Sequence, residues 1–364
     1  MQDNKHDIQF GNVRQSGLDI VRIIASISVI AVHFYLNCNF YETPLQGAKM
    51  FAMTFGRWLF MICVPLFMML TGYLKCHKKC DKAHYLSLIP ILLSYIIIAV
   101  VKVIISNIYY GNGYYSFGNA IKAIATYQIA WYVGMYVGLM LIIPFLNKLI
   151  AALSEKEFKW MILAFALAAC VFPLVQYVIP SYWQYLYPLV YYFLGAYIRE
   201  YKPKVNKWMC AATVLIMTLI NGVITYASAH GEPFRYDVLA GVDNGYSVIT
   251  VAVATVAVFL MFYDVCENGA EVASKGWRGL LGTISSASLE IYLFSGVFDV
   301  IIYTYLKQTH TMATEFFWLF FITVPLNFIC SAVCGILVNK SVRAIYTKSV
   351  VNQIRKETSI KDEK

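Results

Sequence analysis

The stretch LDIVRIIASISVIAVHFYLNCNF, residues 18–40, decides the fold. It is an apolar run long enough to cross a lipid bilayer, because about 20 apolar residues in a helix span the hydrocarbon core. It nevertheless contains Asp19, Arg22 and His33. Ionisable side chains at membrane depth are costly and are usually kept for function or paired with one another. We therefore expect the first span to carry functional groups.

Helical geometry predicts that Arg22 and His33 share one face of this span. They are eleven residues apart, which at about 100° per residue turns them to within roughly 20° of each other. At about 1.5 Å per residue they are separated by about 16 Å along the helix axis. One face of the helix is thus predicted to present a guanidinium near one membrane surface and an imidazole beyond the middle.

The composition of the chain is that of an integral membrane protein. Its 364 residues are 60% hydrophobic and only 13% charged, and the mean hydropathy is +0.62, a balance that soluble domains of this length do not show. We predict an all-α polytopic protein of the plasma membrane, surrounded by the lipid bilayer. The polar residues 1–16 are not followed by a signal-peptide cleavage site, so we expect the first span to be retained.

Ten apolar runs are long enough to be transmembrane helices. They are residues 18–40, 51–74, 85–106, 131–150, 160–179, 184–200, 208–229, 246–264, 284–306 and 316–338. These runs predict a cytoplasmic N-terminal segment at residues 1–17, a membrane domain at 18–340 and a cytoplasmic basic tail at 341–364.

The distribution of basic residues predicts the orientation. Placing the N-terminus in the cytoplasm puts most of the 29 lysines and arginines in the connections on that side, as the positive-inside rule requires. An even number of spans then returns the C-terminus to the cytoplasm. The net charge of +9 is thereby explained by topology, and we predict no nucleic-acid partner. Arg22 is predicted to lie toward the cytoplasmic leaflet and His33 toward the outer one.

Five further segments, taken in order, carry a resemblance to a known family. They are VPLFMMLTGYL (64–74), LIPILLSY (88–95), WYVGMYVGLMLIIPFLN (131–147), YYFLGAYI (191–198) and SLEIYLFS (288–295). Together with the first span they resemble the membrane-bound acyltransferase-3 family, the ten-span enzymes that O-acylate cell-envelope carbohydrates. The resemblance covers residues 18–340. It implies transfer of an acyl group, which we expect to be acetyl, from acyl-CoA to a hydroxyl of an envelope glycan or glycolipid, without a tightly bound cofactor.

The resemblance also implies roles for the two ionisable residues of the first span. In the family the histidine is taken as catalytic and the arginine as a contact of acyl-CoA, which gives these roles to His33 and Arg22. The chemistry agrees, because a base must remove the proton of a sugar hydroxyl and a guanidinium binds phosphates bidentately. We predict His33 as general base or as transient acyl carrier. A packing role for His33, and snorkelling or pairing with Asp19 for Arg22, are the alternatives.

A basic loop follows the second span. We predict that Lys79 and Lys82 bind the phosphates of acyl-CoA, although topology alone also accounts for these charges. The same loop reads CHKKCDKAH (76–84), so Cys76, His77, Cys80 and His84 are of metal-ligand types. Structural zinc sites prefer paired CxxC spacings, and we therefore predict no metal.

Three residues are predicted to support the site through the first, second and fourth spans. Asp19 lies three residues before Arg22 and is expected to position its guanidinium. Tyr73 and Trp131 are candidate walls of the active site through their positions in the family.

The ninth span carries two carboxylates, Glu290 and Asp299. Both are functional candidates because carboxylates at membrane depth are expensive. Many family members have a second histidine in this span, which this chain lacks, so the partner of His33 is open. Asp299 could orient His33 or contact a sugar hydroxyl, and pairing of Asp299 with Arg57 or Lys102 is an equal alternative.

Two other classes of function compete with acyl transfer. One is a secondary transporter of a small anion or lipid-linked sugar that uses Arg22, His33 and Asp299 as an ion pathway. The other is a scaffold or flippase partner without catalysis. We expect no fused extracytoplasmic domain, so a separate extracytoplasmic partner protein is a candidate for completing the transfer.

Overall fold

The computed structural model describes residues 15–351, with gaps at 112, 171–177, 236–238, 240–244 and 266–274. Over these residues the chain forms α-helices and two isolated β-bridges, with no β-strand. The all-α prediction is confirmed. The helices are α1 (Ser16–Asn37), α2 (Gly47–Phe60), α3 (Cys63–Lys75), α4 (Lys82–Leu86), α5 (Ile89–Tyr110), α6 (Phe117–Ala125), α7 (Trp131–Ala152), α8 (Glu155–Cys170), α9 (Tyr187–Tyr201), α10 (Lys207–Ser228), α11 (Ile249–Phe262), α12 (Lys275–Ser286), α13 (Ser288–Leu306), α14 (Ala313–Phe316) and α15 (Phe320–Tyr346).

Seven helical stretches in the described part of the chain are long and apolar enough to cross a membrane. They are Ser16–Asn37, Gly47–Lys75, Lys82–Tyr110, Trp131–Ala152, Lys207–Ser228, Ser288–Leu306 and Phe320–Ser349. They support a polytopic membrane protein.

Three predicted runs correspond to shorter helices. The runs at 184–200 and 246–264 contain α9 and α11, whereas the run at 160–179 contains part of α8 and extends beyond the described residues. The count of ten spans therefore stays a prediction. So does the cytoplasmic location of both termini, because residues 1–14 and 352–364 lie outside the described part of the chain.

The second span is broken between α2 and α3. Residues Met61 and Ile62 form a turn, and Pro65 lies in the first turn of α3. Proline cannot donate a backbone hydrogen bond, and its ring clashes with the carbonyl four residues earlier, which here is that of Met61. Beyond the break, α3 packs against both α1 and α9.

Helix α1 lies at the centre of the bundle. It packs against α2, α3, α11, α12, α13 and α15, and its side chains at Val21, Ala25, Ile30 and Ala31, which lie on different faces of the helix, are buried. Burial of these apolar residues on several sides fixes the rotation of the helix. The ionisable residues of α1 are therefore held against protein rather than lipid.

Two glycines bring α3 and α9 into close backbone contact. A Cβ atom at Gly72 would overlap the carbonyl oxygen of Tyr192, and one at Gly195 would overlap that of Met69. Small residues allow such close approach between membrane helices, where dispersion contacts supply much of the attraction. The reciprocal pair fixes α3, which also carries walls of the site described below.

We expect Gly195→Ala to destabilise the protein by about 1–3 kcal/mol or more, because the added methyl group forces the α3 and α9 backbones apart. Thermal unfolding of the detergent-solubilised protein measures the effect. The matched control is Gly138→Ala in α7, where an added Cβ meets no atom within 4 Å. Equal melting temperatures for the two variants would contradict the packing argument.

Candidate functional site

A hydrogen bond joins His33 on α1 to Asp299 on α13. The distance from His33 Nδ1 to Asp299 Oδ2 is 2.9 Å. A carboxylate oxygen can only accept a hydrogen bond, so Nδ1 carries a proton, and in the neutral imidazole Nε2 keeps its lone pair. The carboxylate thus fixes both the orientation of the imidazole and the nitrogen that is available as a base.

The Asp299 carboxylate is itself held by α15. Asn327 Nδ2 donates to Asp299 Oδ1 at 2.9 Å and to the Ser295 carbonyl oxygen at 3.2 Å. Ser331 Oγ donates to Asn327 Oδ1 at 2.9 Å. A chain of hydrogen bonds therefore runs from α15 through α13 to the imidazole on α1. Sequence reasoning missed Asn327, although a buried amide within a long apolar helix is a detectable signal.

The two cations considered as alternative partners of Asp299 make other contacts. Lys102 Nζ donates to the Ile129 carbonyl oxygen at 3.4 Å and lies beside Gly296, one turn before Asp299 on α13. Arg57 is fully buried. Its guanidinium lies 4.2 Å from the ring centroid of Trp58 and 4.7 Å from that of Phe234.

His33 faces a small chamber. We call it the imidazole chamber. Its walls are mainly branched aliphatic and aromatic side chains: Val29, Val32, Val64, Phe67, Trp131, Tyr132, Tyr246 and Tyr292. Trp131, a predicted wall residue, thus lies at this site. Such a chamber can exclude water from a reacting group at the imidazole.

Arg22 faces a second, larger cavity, which we call the cationic cavity. Its other lining residues are Phe67, Leu70, Thr71, Leu74, Lys75, Ile91, Tyr132, Tyr136, Ser288, Leu289 and Tyr292. Arg22 and Lys75 place two positive charges on walls that are otherwise largely apolar. This combination suits a ligand with an anionic end and a long, less polar body.

Arg22 is positioned partly through a residue that the sequence did not identify. Arg22 Nη1 donates to Ser285 Oγ at 3.2 Å and lies 3.5 Å from Asp19 Oδ1. Ser285 Oγ in turn donates to Asp19 Oδ1 at 2.7 Å. The buried Asp19 therefore acts on the guanidinium together with Ser285 of α12, in line with the positioning predicted from its spacing.

Three aromatic side chains line both cavities: Phe67 of α3, Tyr132 of α7 and Tyr292 of α13. The ring centroids of Phe67 and Tyr132 are 5.8 Å apart, and those of Tyr132 and Tyr292 are 5.6 Å apart. The Tyr292 ring also lies 6.4 Å from the imidazole of His33. We call these side chains the three-ring passage, because they form the common boundary between Arg22 and His33.

Several predicted site residues lie outside both cavities. Lys79 and Lys82 are exposed on their loop, while Lys75 of the same basic segment reaches the cationic cavity. Tyr73 is buried, and the Arg199 guanidinium lies 5.1 Å from the centroid of its ring.

Glu290 is buried between helices rather than solvated at an interface. Its carboxylate accepts from Ser94 Oγ at 2.6 Å and from Asn339 Nδ2 at 3.1 Å. Its two oxygens thus accept hydrogen bonds from side chains of two neighbouring helices, α5 and α15. Glu290 lines neither cavity, so its contacts indicate a structural role.

One group in the described part of the chain has the geometry to hold a metal ion. The ligand atoms of Cys76, His77 and Glu200 lie within 4.8 Å of one another. Burial, and then the charge of Glu200, raises the pKa of the Cys76 thiol to about 12, so a metal would have to displace its proton. Cys80 and His84 of the same loop are outside this group, with contacts to Tyr85 and Met140.

Comparison with known proteins places the chain in a family. The family model Acyl_transf_3, described as an acyltransferase domain, matches residues 15–335. No curated protein and no solved structure matches the chain. The matched range contains the His33–Asp299 pair and every residue that lines the two cavities.

Proposed function

The chain belongs to the acyltransferase-3 family of membrane proteins, and from this premise we propose that it is an acyl-CoA-dependent O-acyltransferase of the plasma membrane. It transfers an acetyl group to a hydroxyl of an envelope glycan or glycolipid. One observation carries the proposal: an imidazole fixed by a carboxylate faces a chamber that shares three walls with a cationic cavity.

The cationic cavity is the proposed site of the donor. Coenzyme A carries phosphates at one end and a slender pantetheine arm that ends in the thioester. Arg22 and Lys75 line the cavity with the positive charges that phosphates require, and Arg22 can bind a phosphate bidentately. In the orientation predicted from the basic loops, this end of the site meets the cytoplasm, where acyl-CoA is made.

His33 supplies the base. As the acceptor oxygen attacks the thioester carbonyl, its proton moves to His33 Nε2 and the C–S bond breaks. The proton then passes to the sulfur, so that the products are the O-acyl ester and the free CoA thiol. Asp299 stabilises the positive charge that develops on the ring, in the way that a carboxylate assists other catalytic histidines. A transient acyl group on Nε2 would use the same geometry.

The acceptor is proposed to approach past Trp131. This residue begins α7, is partly exposed and lines the imidazole chamber. Aromatic rings present an apolar face with a defined orientation, on which the C–H face of a sugar ring can pack. The proposed partner is therefore a carbohydrate or lipid-linked sugar, and an extracytoplasmic protein could complete its delivery.

Inverted membrane vesicles that contain the protein and its native envelope glycans test this function. With radiolabelled acetyl-CoA, we expect release of free CoA thiol and label in an alkali-labile ester of the glycan. Arg22→Gln is expected to raise the KM for acetyl-CoA about 10-fold or more, with a smaller change in kcat, because a phosphate contact contributes mainly to binding. A secondary transporter would instead take up its substrate without releasing CoA, and that result would reject the proposal.

A further inference from the structure

The imidazole chamber and the three-ring passage have a further consequence for the donor. We propose that they bind the acyl group itself and determine its length, so that Val64 and Phe67 are specificity-determining residues that favour short, unbranched acyl chains. This inference rests on the proposed function, because it places acyl-CoA in the cationic cavity with its thioester toward His33.

The order of the groups along the donor dictates where the acyl chain lies. The phosphates are held by Arg22 and Lys75, and the thioester must come to the imidazole of His33. The acyl chain extends beyond the thioester, away from the phosphates. It must therefore pass Phe67, Tyr132 and Tyr292 first and then occupy the imidazole chamber, which is much the smaller of the two cavities.

Tyr246, which lines the imidazole chamber but not the cationic cavity, is held in place by the core. The carbonyl oxygen of Tyr246 accepts a hydrogen bond from Tyr191 Oη at 2.7 Å, and its hydroxyl lies 3.5 Å from Cys63 Sγ. Tyr191 and Cys63 are fully buried. Because these contacts would have to break for Tyr246 to move, the chamber cannot lengthen easily to admit a longer chain.

The side walls are equally constrained. Val29 and Val32 belong to the central helix α1, and Val64 lies at the start of α3, next to Pro65. All three valines are buried. β-branched side chains have few rotamers, so these walls do not rearrange as linear side chains would. A longer acyl chain therefore meets a stiff surface on both sides.

The experiment compares acetyl-, butyryl- and octanoyl-CoA in the vesicle assay. For the native protein we expect kcat/KM with butyryl-CoA to be about 10- to 100-fold below that with acetyl-CoA, and octanoyl-CoA to be lower still, on the scale of discrimination by apolar pockets. Val64→Ala enlarges the chamber and is expected to raise the butyryl-to-acetyl ratio about 10-fold. Phe67→Leu, which widens the passage, is expected to raise the ratio as well.

Val251→Ala is the matched control, because Val251 is a buried valine of α11 that lines neither cavity. The Val251→Ala variant should keep the native butyryl-to-acetyl ratio of kcat/KM. Each ratio is measured within one preparation, so a smaller folded fraction in a variant does not alter it. Equal use of acetyl- and octanoyl-CoA by the native protein, or unchanged ratios in both Val64→Ala and Phe67→Leu, would overturn the inference alone. Absence of CoA release from every acyl-CoA would overturn the proposed function and this inference with it.

Discussion

Replacing His33 with glutamine is expected to lower the rate of CoA release from acetyl-CoA by about 10²–10⁴-fold, the usual contribution of a positioned general base. Glutamine retains a polar group that can bond to Asp299, so the helix packing around it is preserved. Its amide does not take up a proton from a hydroxyl near neutral pH. We therefore expect kcat to fall while the KM for acetyl-CoA, which depends on the cationic cavity, changes little.

The matched control is His310→Gln, because His310 lies in the connection after α13 and bonds to Thr309 and the Leu306 carbonyl oxygen. This variant should retain native turnover. Thermal unfolding of both variants in detergent shows whether the fold is intact. If folded His33→Gln kept more than about a tenth of native turnover, His33 would not be the base.

Asp299→Asn is expected to reduce kcat by about 10²–10⁴-fold, because the amide reverses the hydrogen bond to the imidazole. Asn327 donates to Oδ1 of residue 299, so the new amide would place its oxygen there and turn its NH₂ group toward His33 Nδ1. That nitrogen would have to accept, which moves the ring proton to Nε2 and removes the lone pair from the reacting side. The KM for acetyl-CoA should change little.

Glu290→Gln is the control for Asp299→Asn, because Glu290 is a second buried carboxylate on α13. Glu290 bonds to Ser94 and Asn339 and lines neither cavity. We expect its replacement to lower the melting temperature but to leave kcat near the native value. A positioning role for Asp299 predicts the opposite pattern, with kcat lost and most of the stability kept. If the two substitutions had similar effects on kcat, Asp299 would have a structural role and not a positioning role.

Helix periodicity was sufficient to relate Arg22 to His33. Both residues lie on one continuous helix, so their spacing alone predicts a common face, and the structure directs them to cavities with shared walls. The all-α membrane fold likewise followed from the apolar runs. The family followed from the quoted segments and the order in which they occur. These features depend on local sequence.

The partner of His33 depends on tertiary structure, which local patterns do not specify. From the sequence, Asp299 could orient His33, contact a sugar hydroxyl or pair with Arg57 or Lys102, and the choice was open until the packing of α13 against α1 was known. The same limit applied to the proposed donor site. Lys79 and Lys82 were predicted to bind the phosphates of acyl-CoA, but Lys75 is the lysine of this segment that lines the cationic cavity. Lys75 is the last residue of α3, whereas Lys79 is exposed on the loop that follows and Lys82 is exposed at the start of α4.

The two buried carboxylates of α13 are both tied to amides of α15, Asp299 to Asn327 and Glu290 to Asn339. Sliding one helix past the other by a turn, about 5.4 Å, would leave both carboxylates without these donors at the same time. The two contacts therefore fix the position of α15 along α13. We expect the two helices to move together. Because α13 and α15 are tied together in this way, a displacement of the pair from α1 would break the hydrogen bond between His33 and Asp299.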